Sequence, residues 1–150
     1  MSQSLSKSTI HLVFSTKNRV PYLTDSVRDE LHAYMARILK DDQSPALIIN
    51  SVEDHVHILL SQHRTVALSH IVERLKKSSS KWLKTKPLML QSFAWQSGYG
   101  AFSVSESNIP QVRGYIENQR EHHQTKSFQD ELRCFLEKHH IDYDERYLWD

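Results

Sequence analysis

The spacing of apolar and polar residues divides the N-terminal half of the chain into strand-like segments. Residues 8–15 alternate apolar and polar side chains, and this period of two predicts a half-buried strand. The apolar runs at 46–52 and 55–60 are separated by two acidic residues and predict a β-hairpin. Residues 93–104 predict further strand material, interrupted at Gly98-Tyr99-Gly100 because glycine weakens a strand.

A different period, three to four residues, marks the amphipathic helices. Four segments carry it: residues 25–40, 66–84, 110–125 and 128–139. Thr24 or Asp25 can cap the first helix, and Pro87 is expected to end the second. Pro110 suits the first turn of the third.

The order of these elements predicts the fold. Strand, helix, strand, strand, helix and strand is the order of the split βαβ, ferredoxin-like architecture. We therefore expect a single α+β domain over residues 1–150, with an antiparallel sheet and additional C-terminal helices. In this topology the first and third strands lie in the middle of the sheet. Two helices are expected to cover one face and to leave the other face open.

Composition is that of an ordinary globular protein, with 39% hydrophobic and 25% charged residues. No apolar run approaches the roughly 20 residues of a membrane span. The first eight residues are polar and lack the apolar region of a signal peptide. The single cysteine, Cys134, cannot form an internal disulfide. These features predict a cytoplasmic protein.

Charge is distributed unevenly, although the net charge is only +1. Residues 64–86 contain seven lysines and arginines and one acid, Glu73. The helical spacing of four of these bases predicts one basic stripe on the second helix: Arg74, Lys77, Lys81 and Lys84. Such a stripe is either a nucleic-acid-binding surface or a solvated helix face.

Two histidines on the third strand are candidate metal ligands. Because residues i and i+2 of a strand face the same way, His55 and His57 project from one side of the sheet. That side is opposite the expected helix layer, and His11 of the first strand is a neighbour there. Two imidazoles can bind a divalent ion but need a third ligand. The alternative is a pair of polar residues on a solvated sheet face.

The helix after the last strand can supply that ligand. Tyr115 and Gln119 are four residues apart and therefore share one side of the helix. An amide oxygen suits Mg²⁺ or Mn²⁺, and its helix would bring the Tyr115 phenol to the ion as a nucleophile. His122 and His123 are rival ligands that spacing does not exclude. A core tyrosine beside a surface glutamine is the other interpretation.

Five motifs, in order, resemble one known family. They are HLVFSTK at 11–17, DHVHILL at 54–60, WQSGYGAFSVS at 95–105, YIENQ at 115–119 and YDERYLWD at 143–150. The chain resembles the HUH single-tyrosine transposases of the smallest bacterial insertion sequences, which include the REP-associated tyrosine transposases. Each motif is short, but five in the right order over nearly the whole chain are specific.

The resemblance implies an activity and a role for each site residue. His55 and His57 correspond to the metal-binding pair, Gln119 to the third ligand and Tyr115 to the nucleophile that forms a 5′-phosphotyrosine. The implied substrates are single DNA strands with hairpins near the element ends. The implied assembly is a homodimer in which the tyrosine helix of one protomer completes the site of the other.

The basic stripe would then bind DNA, with help from Lys17 and Arg19. Exposed bases could stack on Tyr99, which lies between two glycines and is expected to be exposed, or on Trp95 or Phe102. Core packing is the alternative for these aromatics, and we expect it for Phe102 and for Trp82.

Three other functions compete with a mobile-element transposase. A domesticated relative would use the same chemistry on host repeats. A non-catalytic ferredoxin-like module would bind nucleic acid through the basic helix but would have no use for a tyrosine beside a histidine pair. A metal phosphoesterase would cut without a covalent intermediate.

Overall fold

The computed structural model describes residues 2–86 and 90–150, with His122 described by its backbone alone. Its four strands are β1 (Thr9–Ser15), β2 (Ala46–Ser51), β3 (His55–Ser61) and β4 (Gly100–Val104). The α-helices of the described residues are α1 (Asp25–Asp41), α2 (Leu68–Leu83), α3 (Ile109–Glu117), α4 (Gln119–His123) and α5 (Phe128–Lys138). The expected helix end at Pro87 lies outside the described residues. Within them, no helix is long and apolar enough to span a membrane.

The strands form one antiparallel sheet in the order β2-β3-β1-β4. This order confirms the ferredoxin-like prediction, with the first and third strands in the middle. In the β1–β3 register, His57 lies opposite Val13 and His55 lies opposite Ser15. His11 is thus two positions along β1 from the residue that faces His57, which is close enough for their side chains to meet.

Helices α1 and α2 cover one face of the sheet. The apolar residues of β1 and β3 on this face, among them Leu12 and Ile58, are completely buried beneath them. Leu31 of α1 and Leu75 of α2 belong to the same core. This is the main hydrophobic core. Its residues are those that the period of two in the strands and the helical period in the helices place on the facing sides of these elements.

The opposite face is not open, and here the expectation was wrong. Helix α5 packs Phe128, Leu132 and Leu136 against Val13 and Phe102, which forms a second buried cluster. Gly100 of β4 permits this close approach, because a Cβ there would lie 3.0 Å from Leu132 Cδ1 and 3.1 Å from Val13 Cγ1. The histidine face of the sheet is therefore an interior layer between β-sheet and C-terminal helices.

Two element boundaries also differ from the sequence-based expectation. Only Gly100–Val104 of the run 93–104 is strand, although Trp95 makes an isolated bridge with Thr16. The expected helix over 110–125 is divided at Asn118, where α3 ends. The Asn50 amide of β2 donates to the Ile116 and Glu117 carbonyls at 2.8 and 3.2 Å. These bonds satisfy carbonyls at the end of α3 and fix the tyrosine helix to the sheet.

Candidate active site

His55 and His57 project together from β3, as their spacing predicts, but both are completely buried. Helices α3 and α5 cover them, and Phe128 of α5 lies with its ring centroid 4.8 Å from that of His55. The interpretation as polar residues on a solvated face is therefore wrong. Buried imidazoles require polar partners, because an unpaired polar group in the interior costs about 1–3 kcal/mol.

Those partners form a compact cluster around one carboxylate, that of Glu131 on α5. Its Oε1 lies 2.8 Å from His57 Nε2 and 3.5 Å from His55 Nε2. Its Oε2 lies 3.3 Å from Nε2 of His123, which ends α4. His123 Nε2 is itself 2.8 Å from His55 Nε2. Three imidazoles from two elements thus turn the same ring nitrogen toward one point.

The other ring nitrogen of each imidazole is held by a neighbour. His55 Nδ1 lies 2.6 Å from Asp54 Oδ1, and His57 Nδ1 lies 2.8 Å from His11 Nε2. His123 Nδ1 lies 2.7 Å from the backbone carbonyl of residue 126. Fixing Nδ1 in this way orients the ring and directs Nε2 inward, which is the usual arrangement of histidines that bind a metal.

Electrostatics differ sharply between the histidines. Burial lowers the pKa of His57 to about 4 and that of His11 to about 3, so both stay neutral at physiological pH. Burial would also lower the pKa of His55, but hydrogen bonds to the Asp54 and Glu131 carboxylates outweigh it and the pKa is raised. For Glu131, burial would raise the pKa, yet the surrounding imidazoles hold it far below its usual range.

Tyr115 of α3 reaches this cluster within its own chain. Its hydroxyl donates a hydrogen bond to Glu131 Oε2, and its ring lies edge-on to that of His57 at 5.9 Å between centroids. Burial and the negative charge of Glu131 raise the pKa of the phenol above its ordinary value of 10.0. The hydroxyl is therefore protonated at neutral pH and lies beside the candidate metal ligands.

Gln119 is completely buried next to the same cluster. Its Oε1 lies 2.9 Å from His123 Nε2, and its Nε2 donates to the Tyr115 carbonyl at 3.2 Å. The structure thus brings Gln119 and His123, expected as rivals, to the site together. The side chain of His122 lies outside the described part of the chain.

This group of side chains fits a divalent ion. One ligand atom from each of His55, His57, His123 and Glu131 can be chosen so that all four lie within 4.8 Å of one another. Imidazole nitrogen and carboxylate oxygen together bind divalent transition ions such as Mn²⁺ and Zn²⁺, whereas Mg²⁺ prefers oxygen ligands. This set offers three imidazole nitrogens and one carboxylate oxygen, whereas the sequence predicted two imidazole nitrogens and one amide oxygen.

A cleft of about 340 Å³ opens beside the cluster. Its lining includes Arg19, Asp54, His123 and Lys126. The half-buried Arg19 guanidinium lies 5.8 Å from the centroid of the Trp149 ring. Lys17 is exposed at the start of the same short 3₁₀ helix, which follows β1 at the His55 end of the sheet. These two predicted DNA-binding residues are therefore near the site.

The basic stripe lies elsewhere, because α2 packs on the sheet face opposite the histidines. Arg74 forms an ion pair with Asp42, and Lys77 Nζ lies 2.9 Å from Glu73 Oε1. Lys81 and Lys84 are exposed. The four bases follow α2 as predicted, but they lie on the other side of the sheet from the candidate metal site.

The aromatic side chains also separate into core and surface. Phe102 and Trp95 are buried, and the Trp95 indole donates to Ser79 Oγ at 2.9 Å, so neither presents a face for base stacking. Trp82 is partly buried and stacks on Tyr34 at 5.1 Å between ring centroids. Tyr99 is 41% exposed, as expected for a residue between two glycines.

Sequence reasoning missed Glu131, although the sequence contains a signal for it. On α5 the apolar positions Phe128, Leu132 and Phe135 follow helical spacing, and Glu131 falls within that side of the helix. A charged residue on an apolar stripe is rarely buried without partners. It therefore indicates a buried ion pair or a ligand, here the partner of the histidines.

Comparison with known proteins agrees with this geometry. Residues 4–119 match the family model described as "Transposase IS200 like". The ISDra2 transposase TnpA of Deinococcus radiodurans is 28% identical over 116 residues, which cover 74% of this chain and 83% of that protein.

Two solved structures share the fold. A Deinococcus radiodurans protein described as a transposase has a TM-score of 0.62 and 27% identity, covering 79% of this chain and 98% of its own. A REP-associated tyrosine transposase bound to a REP hairpin has a TM-score of 0.55 and 16% identity, covering 77% and 68%. With a family match over most of its length, a matching fold and a tyrosine beside a histidine cluster, the chain belongs to the IS200-like transposase family, whose members cleave and transfer DNA.

Proposed function

We propose that this protein is a metal-dependent transposase that cuts single-stranded DNA with Tyr115 and rejoins it through a covalent protein–DNA intermediate. One observation carries the proposal: the Tyr115 hydroxyl donates a hydrogen bond to Glu131 at the edge of the buried cluster, and the Tyr115 ring lies beside His57. A purely structural tyrosine would not need three imidazoles around its hydrogen-bond partner.

The reaction is a transesterification at phosphorus. The Tyr115 oxygen forms a bond to the scissile phosphorus and loses its proton, while the bond from phosphorus to the 3′ oxygen breaks. The products are a 5′-phosphotyrosine and a 3′-hydroxyl on the other fragment. Because the covalent link conserves the energy of the broken bond, joining to a new 3′ end needs no ATP.

Mg²⁺ or Mn²⁺ is the proposed ion, held by His55 and His57 with Gln119 as a further ligand. Of the two, Mn²⁺ suits the imidazole nitrogens better. A divalent ion neutralises phosphate charge and orients the phosphodiester for in-line attack. The chain itself does the rest. Burial keeps His57 neutral, as a metal ligand must be, and Asn50 fixes the end of the helix that carries Tyr115.

The strand would reach the site through the cleft that Arg19 lines, and the exposed Lys17 lies on the same 3₁₀ helix as Arg19. Cations there attract phosphates, and the exposed Tyr99 can stack a base. The hairpin in the REP-associated relative supports a hairpin-bearing strand as substrate. Cleavage by Tyr115 of the same chain is the proposed arrangement, since its hydroxyl meets its own Glu131. A homodimer with the tyrosine acting in trans, implied by the resemblance, is the competing arrangement.

The decisive experiment traps the covalent intermediate. Incubated with Mn²⁺ and hairpin-bearing single strands taken from the DNA flanking the gene, the protein should form an adduct that survives SDS. Mass spectrometry should find the mass of the 3′-side fragment added to the protein. Tyr115→Phe removes only the phenolic oxygen, so the adduct should vanish while DNA binding persists.

Tyr147→Phe is the matched control, because it removes an exposed phenol outside the cluster and should leave the adduct yield unchanged. Cleavage without an adduct would identify a simple phosphoesterase, and binding without cleavage would identify a non-catalytic module. A domesticated transposase would form the adduct with repeats of the host genome that are not flanked by the ends of a mobile element. An adduct with Tyr115→Phe would mean that another residue is the nucleophile.

A further inference from the structure

Glu131 is an acid where the sequence of α5 otherwise places apolar residues. Only 2% of it is exposed, and Phe128, Leu132 and Leu136 of the same helix are buried with it. Transferring a carboxylate into a protein interior is strongly unfavourable unless nearby charges and hydrogen bonds compensate for the lost hydration. Something at this point in the fold must therefore favour a negative charge.

The neighbours of the carboxylate are those expected of a metal ligand. Both oxygens face Nε2 atoms: Oε1 faces His57 at 2.8 Å and His55 at 3.5 Å, and Oε2 faces His123 at 3.3 Å. Nε2 is the atom with which these residues would bind an ion, because each Nδ1 is already held by another partner. Glu131 therefore shares the centre of the site with every candidate imidazole.

We propose that Glu131 is a protein ligand of the divalent ion, supplied by α5 in addition to the histidine pair and Gln119. The inference rests on the proposed metal-dependent function and assigns a residue that the HUH pair and the Tyr115–Gln119 motif do not include. It gives the site a negatively charged ligand, which increases its affinity for a divalent cation. It also ties the nucleophile to the ion, because the same carboxylate accepts the Tyr115 hydrogen bond.

Titration of the full-length, metal-free protein with Mn²⁺ alone, followed by electron paramagnetic resonance of the free ion, tests the ligand directly. Glu131→Gln keeps the shape of the side chain and removes its charge. Loss of a ligand should weaken Mn²⁺ binding by about tenfold or more, since even partners that only orient ligands contribute 10–100-fold. Glu137→Gln on the exposed side of α5 is the matched control and should bind Mn²⁺ as the wild type does.

Circular dichroism shows whether each variant is folded. If Glu131→Gln fails to fold, Glu131→Asp replaces it: this variant keeps the charge but withdraws the carboxylate by one methylene, and should also bind Mn²⁺ more weakly than the wild type. If the folded variant, Glu131→Gln or its replacement Glu131→Asp, binds Mn²⁺ with wild-type affinity, Glu131 is not a ligand. The proposed function would be unaffected by that result. A wild-type protein that binds no Mn²⁺ would overturn both.

Discussion

His55 and His57 are interior residues, and this changes how their substitution must be interpreted. Sequence patterning alone placed them on an open face of the sheet, and alanine variants of residues on such a face would be expected to stay folded. In the structure both are fully buried, and His57 is a close partner of the Glu131 carboxylate. Removing a buried hydrogen-bond partner costs about 1–3 kcal/mol, and more when the group left behind is charged, as Glu131 is. Loss of activity in His57→Ala would therefore combine loss of a proposed metal ligand with loss of stability.

The buried histidines also make the stability of the metal-free protein depend on pH. His11 and His57, with pKa values lowered to about 3 and about 4, remain neutral in the folded state while the unfolded chain binds protons below pH 6.5. Their contribution to stability is thus present above pH 6.5 and is lost as the pH falls toward 4. His55 has a raised pKa, so its contribution to stability is present below pH 6.5 and is lost as the pH rises through the pKa of the folded state.

We therefore expect the free energy of unfolding to decrease on acidification from pH 6.5 to 4.5. The slope is about 1.4 kcal/mol per pH unit for each of these two histidines where it is protonated in the unfolded chain and still neutral in the folded chain. Urea denaturation at several pH values measures it. His11→Gln should remove about half of the dependence, whereas the exposed His70→Gln should leave it unchanged. A stability that is flat across this range would contradict the assignment of neutral buried imidazoles.

At the scale of single elements, α2 presents bases to solvent on the side of the molecule away from the candidate metal site. Replacing both Lys77 and Lys81 with alanine should weaken binding of a single strand, because fewer counterions are released. The slope of log affinity against log salt should fall by about 1.4, for two phosphates at roughly 0.7 each. The effect of Lys77 is expected to be the smaller one, since Glu73 already pairs with it.

Fluorescence anisotropy across a salt series measures both quantities. Lys40→Ala, an exposed base in the last turn of α1, is the control for loss of charge without loss of the stripe. Mn²⁺ affinity should be unaffected in the double variant, since α2 does not contact the histidine cluster. Unchanged DNA affinity and salt slope would make the stripe a solvated helix face.

At the scale of the whole molecule, the question is which chain supplies the tyrosine. Within one chain, α3 and α5 meet over the histidine face, so Tyr115 bonds to Glu131 of the same chain. Cleavage in cis predicts that a mixture of His57→Gln and Tyr115→Phe proteins regains no adduct, because neither chain carries both a metal pair and a nucleophile. Equal amounts of each protein, incubated together before addition of DNA, provide the test.

Co-expressing the two variants from one plasmid is the control for slow exchange of subunits. Adduct formation in the mixture would instead mean that tyrosine helices are exchanged between protomers, and light scattering should then report a dimer. The free edges of the sheet, β2 and β4, are the surfaces at which such a dimer could add strands.

The sequence by itself determined the layout of the elements and the direction of the strand side chains. Residues two apart in a strand face the same way, so His55 and His57 lie on one face of β3. Residues four apart in a helix are neighbours, so Tyr115 and Gln119 lie on one side of the helical segment. Strand order followed from the succession of elements, since few topologies accommodate it. These are local properties, and the structure confirms the strand order and the shared direction of the histidines.

Only the tertiary structure decided what covers the histidine face. Glu131 lies 74 residues from His57 along the chain, and no local period relates the two. Their meeting depends on α5 packing Leu132 against Gly100 and Val13, which lie on the paired strands β4 and β1. Patterning says which way a side chain points but not which distant element it meets. For this reason the candidate metal-binding cluster, its carboxylate and the contact of Tyr115 with Glu131 of the same chain were visible only in the folded chain.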